Sequence, residues 1–129
     1  MAQTTQPTPA ELEILDVLWE LKKATVREVY AEISKRRPTT YTTILKFMQI
    51  MQEKGLVARD VREKAHVYTA KHSKQQTQTK LVGSLMEKAF RGSALSLVQN
   101  VLETKPTTKE ELAAIRQLID EAEAKGGSR

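Results

Sequence analysis

Apolar residues recur every three or four positions in three stretches of the first 55 residues. This spacing places them on one side of a helix, so each stretch predicts an amphipathic helix with a buried stripe. The stripes consist of Leu12, Leu15, Leu18 and Trp19 (widened by Ile14 and Leu21), then Val26, Val29, Tyr30 and Ile33, then Ile44, Phe47, Met48 and Met51. The first part of the chain is therefore expected to be mainly helical.

Capping and breaking residues mark where these helices begin and end. Thr8 and Thr25 are each followed by a glutamate three positions later, which is the capping-box signature of a helix start. Pro38 is expected to end the second helix near Arg36, because proline disfavours helical geometry at the residue before it, Arg37. Either Thr39 or Thr40 then caps the third helix.

Beyond Gly55, which is a typical left-handed helix stop, the pattern changes to that of strands. Residues 56–61 and 65–69 are short runs rich in β-branched and aromatic side chains. The charged residues 62–64 lie between them as a turn. These features predict a β-hairpin with a basic tip.

From about residue 73 the pattern is helical again, in three short amphipathic segments separated by Gly92 and Pro106. Thr107 or Thr108 caps the last one. Their stripes are Val82, Leu85, Met86 and Ala89, then Leu95, Val98, Val101 and Leu102, then Leu112, Ile115, Leu118 and Ile119. About fifty residues are few to bury three apolar faces, so we expect a second copy of the chain to cover them.

The order of three helices and a hairpin is typical of a winged helix-turn-helix domain. We therefore expect a mainly α fold with a small β-hairpin. A winged helix-turn-helix head is predicted over residues 8–72 and a C-terminal helical dimerisation region over residues 73–125. The polar ends, residues 1–7 and 126–129, are expected to be disordered.

The net charge of +5 is concentrated in one part of the chain. Residues 35–64 contain eight basic and three acidic side chains, so this window accounts for the whole net charge. A polyanion should prefer this window to the rest of the chain. A basic surface that is merely solvated would have the same composition, so charge alone does not decide the function.

The third helix of a winged helix-turn-helix domain enters the major groove of DNA, and this indicates which side chains make contacts. Residues at its start and on its exposed face are predicted to reach bases or phosphates: Thr39, Thr40, Tyr41, Thr42, Thr43 and Lys46, with Gln49 on the same face. Arg36, Arg37, Arg62 and Lys64 are predicted to flank the helix as phosphate contacts. The threonines are equally well explained as capping residues, and Tyr41 as a core contact with its hydroxyl at the surface.

Several classes of function are disfavoured by what the chain lacks. It has no cysteine and only two histidines, His66 and His72, so we expect neither a metal site nor any other cofactor. It has no glycine-rich phosphate loop and no H-E-x-x-H or G-x-S-x-G motif, so an enzyme is not expected. Its apolar stretches are short and broken by charges, which predicts a cytoplasmic protein without membrane insertion.

Short motifs follow one another in a specific order: Pro-Ala-Glu-Leu-Glu-Ile-Leu at 9–15, Leu-Trp at 18–19, Thr-Val-Arg-Glu-Val at 25–29, Tyr-Thr-Thr-Ile at 41–44, Glu-Lys-Gly-Leu-Val at 53–57 and His-Val-Tyr at 66–68. In this order and at these intervals they resemble the penicillinase-repressor family, the BlaI-, MecI- and CopY-type repressors. A weaker resemblance extends to about residue 121.

The resemblance implies a homodimer that binds an inverted-repeat operator in double-stranded DNA and blocks transcription. In the β-lactam branch of the family, a membrane metallopeptidase sensor triggers cleavage of the repressor at an Asn-Phe bond in the fifth helix. The corresponding pair here is Asn100-Val101, in which valine replaces phenylalanine. Many members also carry a basic residue directly after Tyr-Thr-Thr-Ile, whereas this chain has Leu45 there and Lys46 one position later. The copper branch relies on cysteines, so copper sensing is not expected.

An alternative interpretation is a winged-helix module that docks another protein without sequence-specific DNA binding. Such a module would present an apolar patch on the exposed face of the third helix. Ile50 is the one clear apolar residue on that face in the sequence pattern. The polar face and the local positive charge therefore favour DNA binding.

Overall fold

The computed structural model describes residues 6–62 and 64–126. In chain order its elements are α1 (Pro9–Leu21), β1 (Ala24–Thr25), α2 (Val26–Ser34), α3 (Tyr41–Lys54), β2 (Val57–Asp60), β3 (Val67–Ala70), α4 (Lys74–Phe90), α5 (Ala94–Thr104) and α6 (Lys109–Ala124). The predicted mainly α fold with a small β-hairpin is confirmed, and the hairpin belongs to a three-stranded antiparallel sheet. The chain divides into two compact units, of which the first ends at Val82 and the second begins at Gly83. Residues 1–5 and 127–129, within the ends predicted to be disordered, lie outside the described residues.

Reciprocal capping boxes begin the first two helices, as the sequence predicts. The Thr8 hydroxyl accepts a hydrogen bond from the Glu11 amide at 3.2 Å, and the Glu11 carboxylate accepts one from the Thr8 amide at 3.0 Å. Thr25 and Glu28 form the same pair of bonds, at 3.1 and 2.8 Å. Amides that lack a partner within the helix are thereby satisfied at both starts.

The end of α1 differs from the expected pattern in one position. Leu21 was predicted to widen the buried stripe, but it is 40% exposed. The helix ends at this residue, and Lys22 takes a positive φ of 75° that turns the chain away towards the sheet. Leu21 therefore extends beyond the core even though it lies on the apolar side of the helix.

The core of the first unit forms where α1, α2, α3 and the sheet pack together. Its buried apolar residues are Ile14, Leu15, Val17, Leu18, Ala24, Val26, Val29, Ile33, Ile44, Met48, Met51, Leu56, Val57 and Tyr68. Each fully buried large aliphatic side chain stabilises the fold by roughly 1.5–3 kcal/mol. Three of these residues belong to α3, so the core determines which face of α3 is presented to solvent.

The sheet has three antiparallel strands in the order β1-β3-β2. β3 pairs with β2 so that Arg59 lies opposite Tyr68 and Asp60 opposite Val67. β3 also pairs with β1, where Ala24 lies opposite Tyr68. The hairpin prediction is confirmed, with the second strand beginning two residues later than expected, and β1 is an additional strand.

Among the polar contacts between distant parts of the first unit, two hold α1 against α3 and against the segment after β3. The Lys54 ammonium lies 2.7 Å from Glu11 Oε1, which is the carboxylate oxygen that also accepts from Thr8. The Glu11 residue is only 3% exposed. The Trp19 indole N–H donates to the backbone carbonyl of His72 at 3.0 Å. The first contact ties the end of α3 to the start of α1, and the second ties α1 to the segment after β3.

The helices of the second unit are amphipathic, yet none of the described residues in α5 or α6 is buried. Ser93 caps α5, and Thr108 caps α6 through the amide of Glu111. Pro106 separates the two helices as predicted. Exposed apolar side chains in this unit are Leu85, Leu95, Val98, Val101, Leu102, Leu112, Leu118 and Ile119. Over the described residues, no helix is both long and apolar enough to cross a membrane.

Candidate nucleic-acid interface

Helix α3 has one buried side and one polar side. Ile44, Met48 and Met51 are buried in the core. Thr42, Lys46 and Gln49 are exposed, and we call these three residues the α3 polar face. The face carries hydroxyl, ammonium and amide groups, which can donate and accept hydrogen bonds at base edges. The sequence-predicted site residues Thr42 and Lys46 are thus on the solvent side of a helix that the core holds in place.

Ile50 is the apolar residue that the sequence places on the exposed side of α3, and it is 38% exposed. Its neighbours on the α3 polar face are hydrophilic. One partly exposed isoleucine is common on protein surfaces and is far smaller than the patches that mark protein-docking sites.

The threonines at the start of α3 have different roles. Thr40 is the N-cap: its hydroxyl accepts from the Thr43 amide at 3.1 Å and donates to the Thr43 hydroxyl at 2.9 Å. The Thr43 hydroxyl accepts the Thr40 bond with its oxygen, so its own hydrogen remains available for donation. Thr39 is partly buried before the cap, whereas Thr42 and Thr43 are exposed. The capping alternative therefore applies to Thr40.

Tyr41, the first residue of α3, contacts two residues of α2. Its ring meets the ring of Tyr30 edge to face, with 6.1 Å between centroids. The guanidinium carbon of Arg27 lies 5.0 Å from the centre of the Tyr41 ring, a cation–π distance. Arg27 is exposed and was not among the residues that the sequence pattern indicated. Its contact with Tyr41 depends on how α2 docks against α3, which no spacing in the sequence reveals.

Arg36 and Arg37 lie in the turn between α2 and α3, and both are paired with carboxylates of α1. Arg37 Nη2 lies 2.9 Å from Glu13. Arg36 lies 3.6 Å from Glu13 and 3.6 Å from Asp16 through its two terminal nitrogens. A phosphate that binds these arginines would therefore compete with carboxylates already in place.

The hairpin of β2 and β3, which we call the wing, carries at its tip a third arginine that is paired with a carboxylate. Arg62 donates from Nη2 and Nε to Asp60 at 2.8 and 3.1 Å, while its side chain remains 87% exposed. These hydrogen bonds lower the pKa of Asp60 to about 2 and raise the pKa of Arg62. Lys64 is exposed on the other side of the tip, and Glu63 between them lies outside the described residues.

The structure thus arranges the predicted contacts in separate groups. Thr42, Thr43 and Lys46 lie along α3, Arg36 and Arg37 adjoin α1, and Arg62 and Lys64 lie in the wing. The candidate cleavage pair Asn100-Val101 is in α5 of the second unit, and both of its side chains are exposed. Across the described residues there is no group of three or more side chains that could hold a metal ion.

Comparison with known proteins extends these observations over nearly the whole chain. The family model described as "Penicillinase repressor" matches residues 7–121. "Transcriptional regulator BlaI" of Mycobacterium tuberculosis is 30% identical, and the alignment covers 100% of this chain and 94% of that protein. The "Penicillinase repressor" of Bacillus licheniformis is 26% identical over 94% of both chains.

A further relative and a solved structure agree with this assignment. "Methicillin resistance regulatory protein MecI" of Mammaliicoccus sciuri is 23% identical over 92% of this chain and 96% of its own length. The solution structure of the DNA binding domain of the repressor BlaI has a TM-score of 0.51 and 27% identity, and it covers 57% of this chain and 90% of its own. The protein therefore belongs to the penicillinase repressor family.

Proposed function

We propose that this protein is a transcriptional repressor that binds an inverted-repeat operator as a homodimer, with α3 in the major groove. The observation that carries the proposal is the α3 polar face, exposed on a helix whose opposite side is fixed in the core. The similarity to proteins named as repressors, and to a DNA binding domain, supports the same function. A helix held in this way can insert its exposed side between phosphate backbones without first being ordered.

Within this proposal, base reading and phosphate binding belong to different residues. Thr42 and Lys46 read base edges, because their positions on the α3 polar face allow hydrogen bonds and methyl contacts in the groove. Arg62 and Lys64 hold phosphates from the wing, and Arg36 and Arg37 do so beside α3. Thr39, Thr40, Tyr41 and Thr43 position the start of α3 against the backbone of the DNA.

Paired substitutions test this division. Thr42→Ala and Lys46→Ala should each weaken binding to a selected operator by about 1–3 kcal/mol and reduce discrimination between related sequences. Arg62→Ala and Lys64→Ala should weaken binding to operator and scrambled duplexes equally, and should flatten the plot of log affinity against log salt by about one unit per lost contact. The operator is first selected from random duplexes by the full-length protein. If no inverted repeat emerges, or if the wing variants alone change sequence preference, the assignment is wrong.

The homodimer rests on the exposed apolar residues of α5 and α6. Leu118 and Leu95 are 62% and 78% exposed in the single chain, and a second copy would cover such side chains symmetrically. Leu118→Arg should therefore make the protein monomeric in analytical ultracentrifugation. Gln117→Arg, on the same helix and also exposed, is the matched control and should remain dimeric. A wild-type monomer at micromolar concentration would contradict the dimer.

Release of the DNA by proteolysis is the regulatory part of the proposal. The Asn100-Val101 bond lies within α5, where the Asn100 carbonyl accepts from the Thr104 hydroxyl at 2.7 Å. A peptidase needs a locally opened chain, so α5 must unwind before this bond is cut. Mass spectrometry of the protein from cells exposed to a β-lactam should show fragments ending at Asn100. Intact protein under conditions where repression has been lifted would show that release occurs by another route.

A further inference from the structure

We propose that Arg27 is a phosphate-binding residue that anchors the DNA backbone at the start of α3, with Tyr41 holding its guanidinium in place. This inference rests on the proposed DNA-binding function and adds to it a residue and a contact. It is carried by the Arg27–Tyr41 contact, by the charge environment of Arg27 and by its position in α2.

The first argument is that the positive charge of Arg27 is not paired with a carboxylate of the described residues, unlike that of three other arginines. Arg36, Arg37 and Arg62 are each paired with a carboxylate. For Arg27, no carboxylate within the described residues forms such a pair; its contact is with the Tyr41 ring. Because no described carboxylate accepts the N–H donors of this exposed guanidinium, those donors remain available for an external anion.

The second argument is the place of Arg27 in its helix. Arg27 is the second residue of α2, and a cation is unfavourable near a helix N-terminus because backbone amides make that end positive. The Glu28 carboxylate, which accepts from the Thr25 amide at 2.8 Å, offsets part of this positive end, but it forms no ion pair with Arg27. Tyr41 is the first residue of α3, so the contact brings the N-terminal turns of both helices together. Arg27 is thereby held beside the start of α3, the part of the helix that the proposed function places against the DNA backbone.

The third argument is rigidity. The Tyr41 ring is held against Tyr30 as well as Arg27, and Tyr30 packs against the core. The guanidinium is therefore positioned before DNA arrives, which reduces the side-chain entropy lost on binding. A planar guanidinium can then donate two hydrogen bonds to one phosphate.

Arg27→Gln tests the proposal in the full-length protein, with an operator duplex selected from random sequence and a scrambled duplex of equal length. We expect it to weaken binding to both duplexes by roughly tenfold, which is the scale of one charge-assisted contact. The salt dependence of log affinity should flatten by about one unit per subunit. Arg27→Lys should keep the salt dependence and lose part of the affinity. Arg116→Gln, an exposed arginine of α6, controls for net charge and should change neither measurement.

The role of the ring is tested by a double-mutant cycle. Tyr41→Leu should reduce the effect of Arg27→Gln several-fold, whereas Tyr41→Phe should leave that effect unchanged because it keeps the ring. Thermal unfolding of Arg27→Gln should occur close to the wild-type temperature, since the lost cation–π contact and the relieved repulsion at the N-terminus of α2 are similar in size and opposite in sign. A structural role for Arg27 would instead lower the unfolding temperature.

The outcomes separate this inference from the function on which it rests. If wild-type protein binds its selected duplex and Arg27→Gln has the same affinity and salt dependence, the inference is wrong and the proposed function stands. If Arg27→Gln changes the preference among sequences without affecting the scrambled duplex, Arg27 reads bases and the phosphate assignment is overturned. If wild-type protein has no preferred duplex, the proposed function itself fails.

Discussion

The ion pair between Glu11 and Lys54 leads to a prediction about asymmetry. Glu11 is 3% exposed, while the Lys54 side chain is 27% exposed and can reach water. Lys54→Met leaves a buried carboxylate without its cation, whereas Glu11→Gln leaves an ammonium group that can be hydrated. We therefore expect the lysine substitution to destabilise the fold more than the glutamate substitution does.

The size of each loss of stability follows from the burial of Glu11 and from the hydrogen bond that Glu11 keeps with Thr8. Removing one partner of a fully buried pair costs about 3–5 kcal/mol. The Glu11 carboxylate keeps the 3.0 Å bond from Thr8, and Lys54 is partly exposed, so Lys54→Met should cost about 2–3 kcal/mol. Glu11→Gln keeps an oxygen for the Thr8 amide and should cost about 1 kcal/mol. The double variant should cost about 2 kcal/mol less than the sum of the two, because no unpaired charge remains.

Urea unfolding followed by circular dichroism, at one fixed protein concentration, measures these free energies. Lys46→Met is the matched control, since Lys46 is an exposed lysine on the same helix, and it should change stability by less than about 0.5 kcal/mol. Equal costs for the two single variants, or costs that simply add in the double variant, would refute the argument that burial of Glu11 makes this pair asymmetric.

Three further predictions concern other contacts of the first unit. The carboxyl of Asp60 should titrate in NMR with a midpoint of about 2. Because this pKa lies below the ordinary 3.8, the Asp60–Arg62 pair is intact above pH 3.8 and is lost as the pH falls through about 2. Arg62→Ala should move the midpoint back towards 3.8. Trp19→Phe removes the hydrogen bond to the His72 carbonyl, and urea unfolding should show a loss of about 0.5–1.5 kcal/mol; an unchanged midpoint would mean that water replaces the bond fully. Gly55→Ala should lower the free energy of unfolding by about 1–2 kcal/mol, because the backbone φ of 82° at this position is unfavourable for alanine. A Cβ there meets no atom within 4 Å, so a larger loss would indicate a steric clash.

The parts of the fold that local chemistry determines could be predicted from the sequence. Thr8 and Thr25 begin helices because their partners are three residues away, and Gly55 ends one through its own backbone preference. By contrast, β1 has two residues, Ala24 and Thr25, which is too short for any alternation of polar and apolar positions to be visible.

The candidate site shows the same division. The α3 polar face follows from helical periodicity, so Thr42 and Lys46 could be placed in advance. The contact of Arg27 with Tyr41 depends on the angle at which two helices pack. The pairing of Arg37 with Glu13 depends on packing in the same way. Such angles are determined by many side chains together, so single-residue patterns in the sequence do not reveal them.

The central position of β3 has a consequence for how this wing can change in evolution. An isolated two-stranded hairpin is marginally stable in water, but here β3 is also bonded to β1, which leads directly into α2. The direction of the wing is thus set by the α1–α2 junction, while the tip residues 61, 62 and 64–66 lie beyond the paired strands and affect its length. Doubling the length of a flexible loop adds only about 0.6 kcal/mol to the entropic cost of closing it. Insertions at the tip would therefore lengthen the wing without reorienting it. The length of the tip can therefore vary while the strands that support it keep their direction.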